Sequence, residues 1–272
     1  MVISIITVGM NHKRYIERLY HTLLVEHRPK TEFECIYVDN CSTDGSIEFL
    51  MSHYPEVKIL KNEQPLGFGA NNNLGVKGAV GKYVAIINPD IEILDDSLDK
   101  MVTYAEKHQE FGILAPQLLN PNGSLQYSIR AFVTLKLILN RFLSRGKDES
   151  TNPYVSEYLC KDMDTNTVQP VNWAMGAALF LKREFYEEIG GFDEDYFLYM
   201  EDEDICLRSW KKGKPVIYNP EIKMVHNHLR ASAKLGKKTL MHFKSLYTFF
   251  CKHGFNIKSP VSQGKLVAEW LQ

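Results

Sequence analysis

No two cysteines in this chain form a CxxC pair, and none falls at a zinc-ligand interval. An odd count of five (Cys35, Cys41, Cys160, Cys206, Cys251) also argues against a complete disulfide framework, so reduced, cytosolic thiols are expected. Charge of one sign is missing as well. Lys plus Arg number 32 against 33 Asp plus Glu, and a net charge of −1 gives no global field to draw a polyanion, so nucleic acid is not an expected partner. No apolar run reaches the roughly 18 residues needed to cross a bilayer. The start, Met1-Val2-Ile3-Ser4-Ile5-Ile6-Thr7, lacks a basic leader and a small-residue cleavage site. The expected location is cytoplasmic, either free or at the inner face of the membrane. Internal repeats and low-complexity tracts are absent too.

What is present is enough apolar residue, 44% of 272, to bury a substantial core. A β-branched run at 2–8 is followed by helical spacing at 15–24, with apolar positions at Ile16, Leu19, Tyr20, Leu23 and Leu24. Strand candidates at 33–38, 57–61 and 83–87 alternate with helix candidates at 46–53 and 71–80, the pattern of a mainly parallel α/β sheet. The pattern then changes. Residues 116–122 are rich in turn formers, 134–145 reads as an amphipathic helix, and 146–153 as a polar loop. Further on, 171–181 reads as a strand or buried segment, 183–189 and 202–211 as helices, and 215–218 as a strand. The expected organisation is a catalytic domain over 1–232 and a helical C-terminal appendage over 233–272.

Five constellations carry chemistry. Val38-Asp39-Asn40 ends a buried strand, where open parallel sheets bind ligands, so Asp39 is placed to accept hydrogen bonds from a base or ribose; the nearby Asp44 reads as a helix cap. The run Gly67 to Gly75 (GFGANNNLG) combines small residues with a helix start, which suits either close approach to a ligand or a plain glycine turn. Asn88-Pro89-Asp90 stops an apolar strand at a carboxylate, the oxygen donor a hard divalent cation needs while a diphosphate supplies the rest. Gly190-Gly191-Phe192-Asp193-Glu194 leads through aromatic residues into Glu201-Asp202-Glu203-Asp204, where crowded acids raise one another's proton affinity. A solvated acidic helix start is the rival, but the aromatic approach turns at least one of the four towards a pocket. Desolvation by Phe197 and Tyr199 is expected to make Asp202 a better base, and Asp204 is expected to pair with Arg208 one turn on. Last, His226 and His228 are candidate metal or diphosphate ligands.

In this order the segments resemble the family 2 glycosyltransferases of the GT-A fold, most closely their rhamnosyltransferase-like branch. The resemblance implies a nucleotide-sugar set of Thr7, Asp39, Gly67, Asn71, Asn88, Asp90, Trp173, Gly176 and Glu201, with Asp39 on the base and 171–177 near the sugar. It implies Asp202 as the catalytic base and Asp90 with His226 as ligands of Mg2+ or Mn2+, the usual first acid of the metal motif being Asn88 here. The implied reaction is an inverting transfer of a sugar, L-rhamnose from dTDP-L-rhamnose, to a glycan or lipid-linked acceptor in cell-surface polysaccharide synthesis. A UDP-hexose donor, a nucleotidyltransferase and an inactive sugar-nucleotide-binding scaffold are the alternatives. The apolar and basic positions of 134–145 leave open a peripheral membrane contact, core packing or an oligomer contact.

Overall fold

In a computed structural model, which describes residues 1–143, 152–227, 237–262 and 265–267, the alternation becomes a twisted mixed sheet with helices on both faces. The first half runs β1 (Ile3–Gly9), α1 (Lys13–His21), β2 (Phe33–Asp39), α2 (Ser46–His53), β3 (Lys58–Lys61), α3 (Phe68–Lys77), β4 (Tyr83–Ile87), β5 (Ile91–Ile93) and α4 (Ser97–Lys107). It continues with β6 (Ile113–Leu119), β7 (Ile129–Arg130), α5 (Leu135–Leu143), α6 (Pro153–Tyr158), β8 (Gln169–Val171), β9 (Trp173–Ala174) and β10 (Ala178–Lys182). Last come α7 (Arg183–Glu188), α8 (Glu201–Lys211), β11 (Val216–His226), α9 (Lys237–His253) and a small hairpin of β12 (Val261–Ser262) and β13 (Lys265–Leu266).

The main sheet has the order β3-β2-β1-β4-β10-β6-β11-β5, with β8 beside β11. Strands β1 to β4 are parallel, β10 runs antiparallel between β4 and β6, and β5 runs antiparallel to β11. Because helices cover both faces, β1 is buried on both: Ile3 and Ile5 join the core of α1 and α4, while Ile6 joins that of α3 and α8.

Three departures from the sequence pattern have local causes. Helix α3 starts at Phe68 rather than at 71, because the Phe68 N–H donates to the Phe197 carbonyl at 2.9 Å and holds the first turn in place. A Cβ on Gly67 would stand 2.8 Å from that same carbonyl oxygen, so the close approach requires glycine. Pro116, expected in a turn, lies inside β6; its missing N–H is tolerated where β10 meets β6 only at Phe180–Leu114 and β11 shifts register between Asn219 and Lys223. That irregularity carries β11 past Pro220 to His226, well beyond the expected end at 218. The domain boundary at 232, His228, residues 144–145 of the expected helix and residues 146–151 of the expected loop lie outside the described residues.

Helix α9 buries Phe249 and Phe250 in the core cluster that holds Tyr196 and Trp210. Its last turn reaches α8, where Asp204 accepts from Arg208 Nε and from His253 Nε2, each at 2.7 Å, with Asp204 fully buried. The i,i+4 pair is the one the spacing predicts. Removing Arg208 strands a buried carboxylate, which costs roughly 3–5 kcal/mol; Arg208→Ala is expected near 3, because His253 stays in place. Urea unfolding at constant slope checks this, and a loss under about 1 kcal/mol contradicts it.

Candidate functional site

At the carboxyl ends of β1, β2 and β4 lies a cavity of about 600 Å3, a size that suits a small-molecule ligand. Its walls include Gly9, Met10, His12 and Tyr15 after β1, Asn40 after β2, Asn88 and Asp90 after β4, and Leu66, Phe68 and Asn71 around the start of α3. Three asparagines hold the α3 side rigid. Asn62 Nδ2 donates to Asn40 Oδ1 (3.0 Å) and Asn71 Oδ1 (2.6 Å), while Asn71 Nδ2 donates to the Leu66 and Gly67 carbonyls. The buried asparagines of GFGANNN therefore shape the loop. Asn73 does the same for the Gly-Phe-Asp-Glu turn, accepting from the Phe192 N–H at 2.9 Å and donating to its carbonyl at 2.8 Å.

Asp39 is buried beside this wall. Its Oδ2 accepts from the Ser42 N–H at 3.1 Å, and its Oδ1 has no partner, an acceptor left for an incoming N–H or O–H. Thr7 is buried within β1 and Gly67 packs on Phe197; neither lines the cavity. Trp173 lies in the core, donating to the Ala131 carbonyl at 2.7 Å.

Asp90 and His226, 136 positions apart in the chain, meet because β5 pairs with β11 with Ile91 opposite His226. His226 Nε2 stands 3.4 Å from Asp90 Oδ1. On its other side His226 Nδ1 lies 2.6 Å from Gln126 Oε1, and the Gln126 amide is oriented by its own donation to Asn120 Oδ1 at 3.1 Å. An Nδ1–H directed at Gln126 puts the Nε2 lone pair on the Asp90 side, the tautomer a metal ligand needs. Among the described residues no third His, Cys, Asp or Glu joins them. Two protein donors still fit Mg2+ or Mn2+, which commonly take the rest from phosphate and water.

From Asn88 the site continues towards the acids. The Asn88 N–H donates to the Ala177 carbonyl at 2.9 Å, and the N–H of the preceding Gly176 donates to Asp202 Oδ2 at 3.0 Å. A Cβ on Gly176 would press on Asp202 at 3.2 Å, so glycine lets the carboxylate sit against this backbone. Burial raises the Asp202 pKa, while the Gly176 N–H and the nearby Arg130 guanidinium lower it. Glu201 is pushed well above the carboxylate range by burial and by the charge of Asp202, and its Oε2 has no partner. Phe197, 47% exposed, and Tyr199, packed on His242, are not the expected source of desolvation; Asp202 packs against the backbone at Gly176 instead. Tyr199 and Met200 both have left-handed φ, +70° and +72°, a strain for non-glycine residues that places the acids at the turn into α8.

Glu203 faces inward, 1% exposed, and accepts from the Val133 N–H at 2.6 Å. Burial raises its pKa well above the usual value. A carboxyl whose folded pKa is raised binds more protons folded than unfolded, so stability falls as pH rises from its unfolded pKa through the folded one. Glu203→Gln keeps an acceptor for Val133 and removes that slope. Its melting temperature is expected to fall less steeply than that of the parent above about pH 4.5, and parallel curves contradict this.

Sequence reasoning passed over several neighbours of these groups: His12 and Tyr15 in the cavity wall, Gln126 behind His226, and Arg130 stacked on Trp173 and Tyr158 at 5.4 and 5.5 Å. None of them stands in a motif, and only the fold brings them to the site.

A mixed sheet in which the reversed strand β10 borders the parallel half, with a cavity at the carboxyl edge of that half, is the architecture of the GT-A glycosyltransferases. The chain belongs to glycosyl transferase family 2, whose model matches residues 4–180. It is 29% identical over 266 residues to the N-acetylglucosaminyl-diphospho-decaprenol L-rhamnosyltransferase of Mycobacterium tuberculosis, covering 91% of this chain and 83% of that protein. It is 26% identical over 260 residues to the rhamnosyltransferase WbbL of Escherichia coli, covering 92% and 93%. In fold it matches a mannosyltransferase of Pyrobaculum calidifontis in complex with GDP-Man and Mn2+, with TM-score 0.65 and 17% identity, covering 95% of this chain and 65% of that one.

Proposed function

We propose that the chain transfers L-rhamnose from dTDP-L-rhamnose to a hydroxyl of a glycan or lipid-linked acceptor in cell-surface polysaccharide synthesis, with inversion at the sugar. The observation that carries this reading is a backbone bridge: Asn88 beside Asp90 binds the Ala177 carbonyl, and the neighbouring Gly176 binds Asp202. A diphosphate by Asp90 and a nucleophile by Asp202 would then address one anomeric carbon from opposite sides.

The cavity wall holds the nucleotide, with Asp39 Oδ1 accepting from the base. Asp202 takes the proton of the acceptor hydroxyl as its oxygen bonds to the anomeric carbon, and the bond from that carbon to the diphosphate oxygen breaks with its electron pair. Asp90 and His226 would hold Mg2+ or Mn2+, which supplies Lewis-acid stabilisation of the leaving diphosphate. Helix α9 of the C-terminal appendage serves as a brace on the catalytic part, through His253 on Asp204 and Lys252 on Asp193. Among the described residues no helix is long and apolar enough to cross a membrane, so the chain would meet a lipid-linked acceptor at the membrane surface.

Rhamnosyl transfer rests on the two rhamnosyltransferase relatives, and calorimetric titration tests it. The expected order is dTDP tighter than UDP, and Asp39→Ala weakens dTDP by roughly ten- to a hundred-fold through loss of a charged hydrogen bond. Tighter binding of UDP overturns the dTDP donor.

A further inference from the structure

A second cavity, of about 330 Å3, opens between α5 and α9. Leu137 and Ile138 of α5, Phe243 and Leu246 of α9, and Val133 and Met200 make its walls mainly apolar, with Tyr158, Thr239 and His242 adding polar groups. Phe243 also belongs to an apolar stripe on α9: Leu240, Phe243 and Tyr247, spaced along one face, are 73%, 62% and 72% exposed. Lone exposed apolar residues are ordinary, but a helical stripe beside an apolar groove marks a surface that binds something.

Its position relative to the first cavity narrows the occupant. One short loop separates the two: Phe197 and Leu198 line the donor cavity, Met200 lines the groove, and Glu201-Asp202 follow at once. Between the acids and the groove stands Arg130. Its guanidinium stacks on Trp173 and on Tyr158, which itself lines the groove, and its charge acts on both Asp202 and Glu203. Its Nη2 reaches only the weak acceptor Met175 Sδ, at 3.6 Å, and its Nε is buried with no hydrogen-bond partner. A planar donor fork beside an apolar channel is suited to a phosphate bonded to a hydrocarbon chain.

We propose that Arg130 binds the diphosphate, and the α5–α9 groove the first isoprene units, of a polyprenyl-diphosphate-linked acceptor sugar. This deepens the lipid-linked reading above and rests on it. The order base, arginine, apolar groove matches the order hydroxyl, diphosphate, hydrocarbon in such an acceptor, and the exposed stripe on α9 continues the channel towards the bilayer from which the chain emerges.

The test titrates the full chain, its donor cavity first filled with dTDP, using farnesyl diphosphate, farnesol and inorganic pyrophosphate as probes. Farnesyl diphosphate is expected to bind at least about tenfold more tightly than either part, since both the apolar area and the charged contact contribute. Phe243→Asp, on an exposed position that leaves the core intact, is expected to bring farnesyl diphosphate to the level of pyrophosphate. Arg130→Met is expected to bring it to that of farnesol. In both variants dTDP affinity should stay within about twofold, which verifies folding and an intact donor site. Farnesyl diphosphate affinity unchanged by both substitutions overturns the proposal while leaving the transferase reading standing. So does a Phe243→Asp variant that loses only its sedimentation with phosphatidylglycerol vesicles, since the stripe would then be a membrane contact and not an acceptor channel. A parent chain that binds neither dTDP nor UDP contradicts the functional reading itself, and this inference falls with it.

Discussion

Asp202→Asn is expected to lower sugar transfer by at least about a hundred-fold while leaving donor nucleotide affinity nearly unchanged, the signature of a lost general base. Asp202 accepts backbone N–H groups on both oxygens, from Gly176 at 3.0 Å and Glu203 at 3.0 Å, so its position is fixed before substrate arrives. An asparagine satisfies only one of the two donors, and this adds a local cost to the chemical loss. A carboxylate with a raised pKa accepts a proton more readily, so transfer by the parent should rise with pH through a pKa above the ordinary aspartate range. The check pairs a nucleotide titration with a transfer assay. If turnover survives within a few-fold, the base must be Glu201, whose buried Oε2 has no partner. Asp204 is not a candidate, because Arg208 and His253 already occupy its oxygens.

The second large effect is expected at Asp90. Excess chelator should abolish transfer, Mn2+ or Mg2+ should restore it, and Asp90→Ala should lose roughly a hundred-fold or more in kcat/KM, since a Lewis acid on a leaving diphosphate supplies several kcal/mol. His226→Ala should lose less, and Gln126→Leu less again, through loss of the orienting hydrogen bond; such outer contacts are typically worth about 10- to 100-fold. Full activity in chelator, or a normal Asp90→Ala enzyme, contradicts metal dependence.

Much of the parallel half could be read from local pattern. Helix α2 and strand β4 occupy the expected 46–53 and 83–87, since a buried β-branched run between turn formers has few other solutions. The stretch 91–119 escaped, because β5 is only three residues long and β6 contains a proline that local rules assign to a turn. The site divides in the same way. Asp39 and Asp90 could be placed by the rule that ligands gather at strand ends. By contrast, the meeting of Asp90 with His226 depends on an antiparallel ladder between distant segments, and the orientation of His226 depends on Gln126, 100 residues before it. Nothing in local sequence encodes either contact. The reading of GFGANNN as a ligand loop needs dividing too: Asn71 lines the cavity while also holding the loop, and Asn73 clamps the Gly-Phe-Asp-Glu turn.

The most direct test of inverting rhamnosyl transfer is a single incubation of purified chain with dTDP-L-rhamnose, Mn2+ and a polyprenyl-diphosphate-linked N-acetylhexosamine, with product and anomeric configuration read by NMR. The account predicts dTDP release matched by a new glycosidic bond whose anomeric configuration is opposite to the donor's, lost in Asp202→Asn and in Asp90→Ala. Retained configuration, or transfer only from a UDP-hexose under the same conditions, would contradict it.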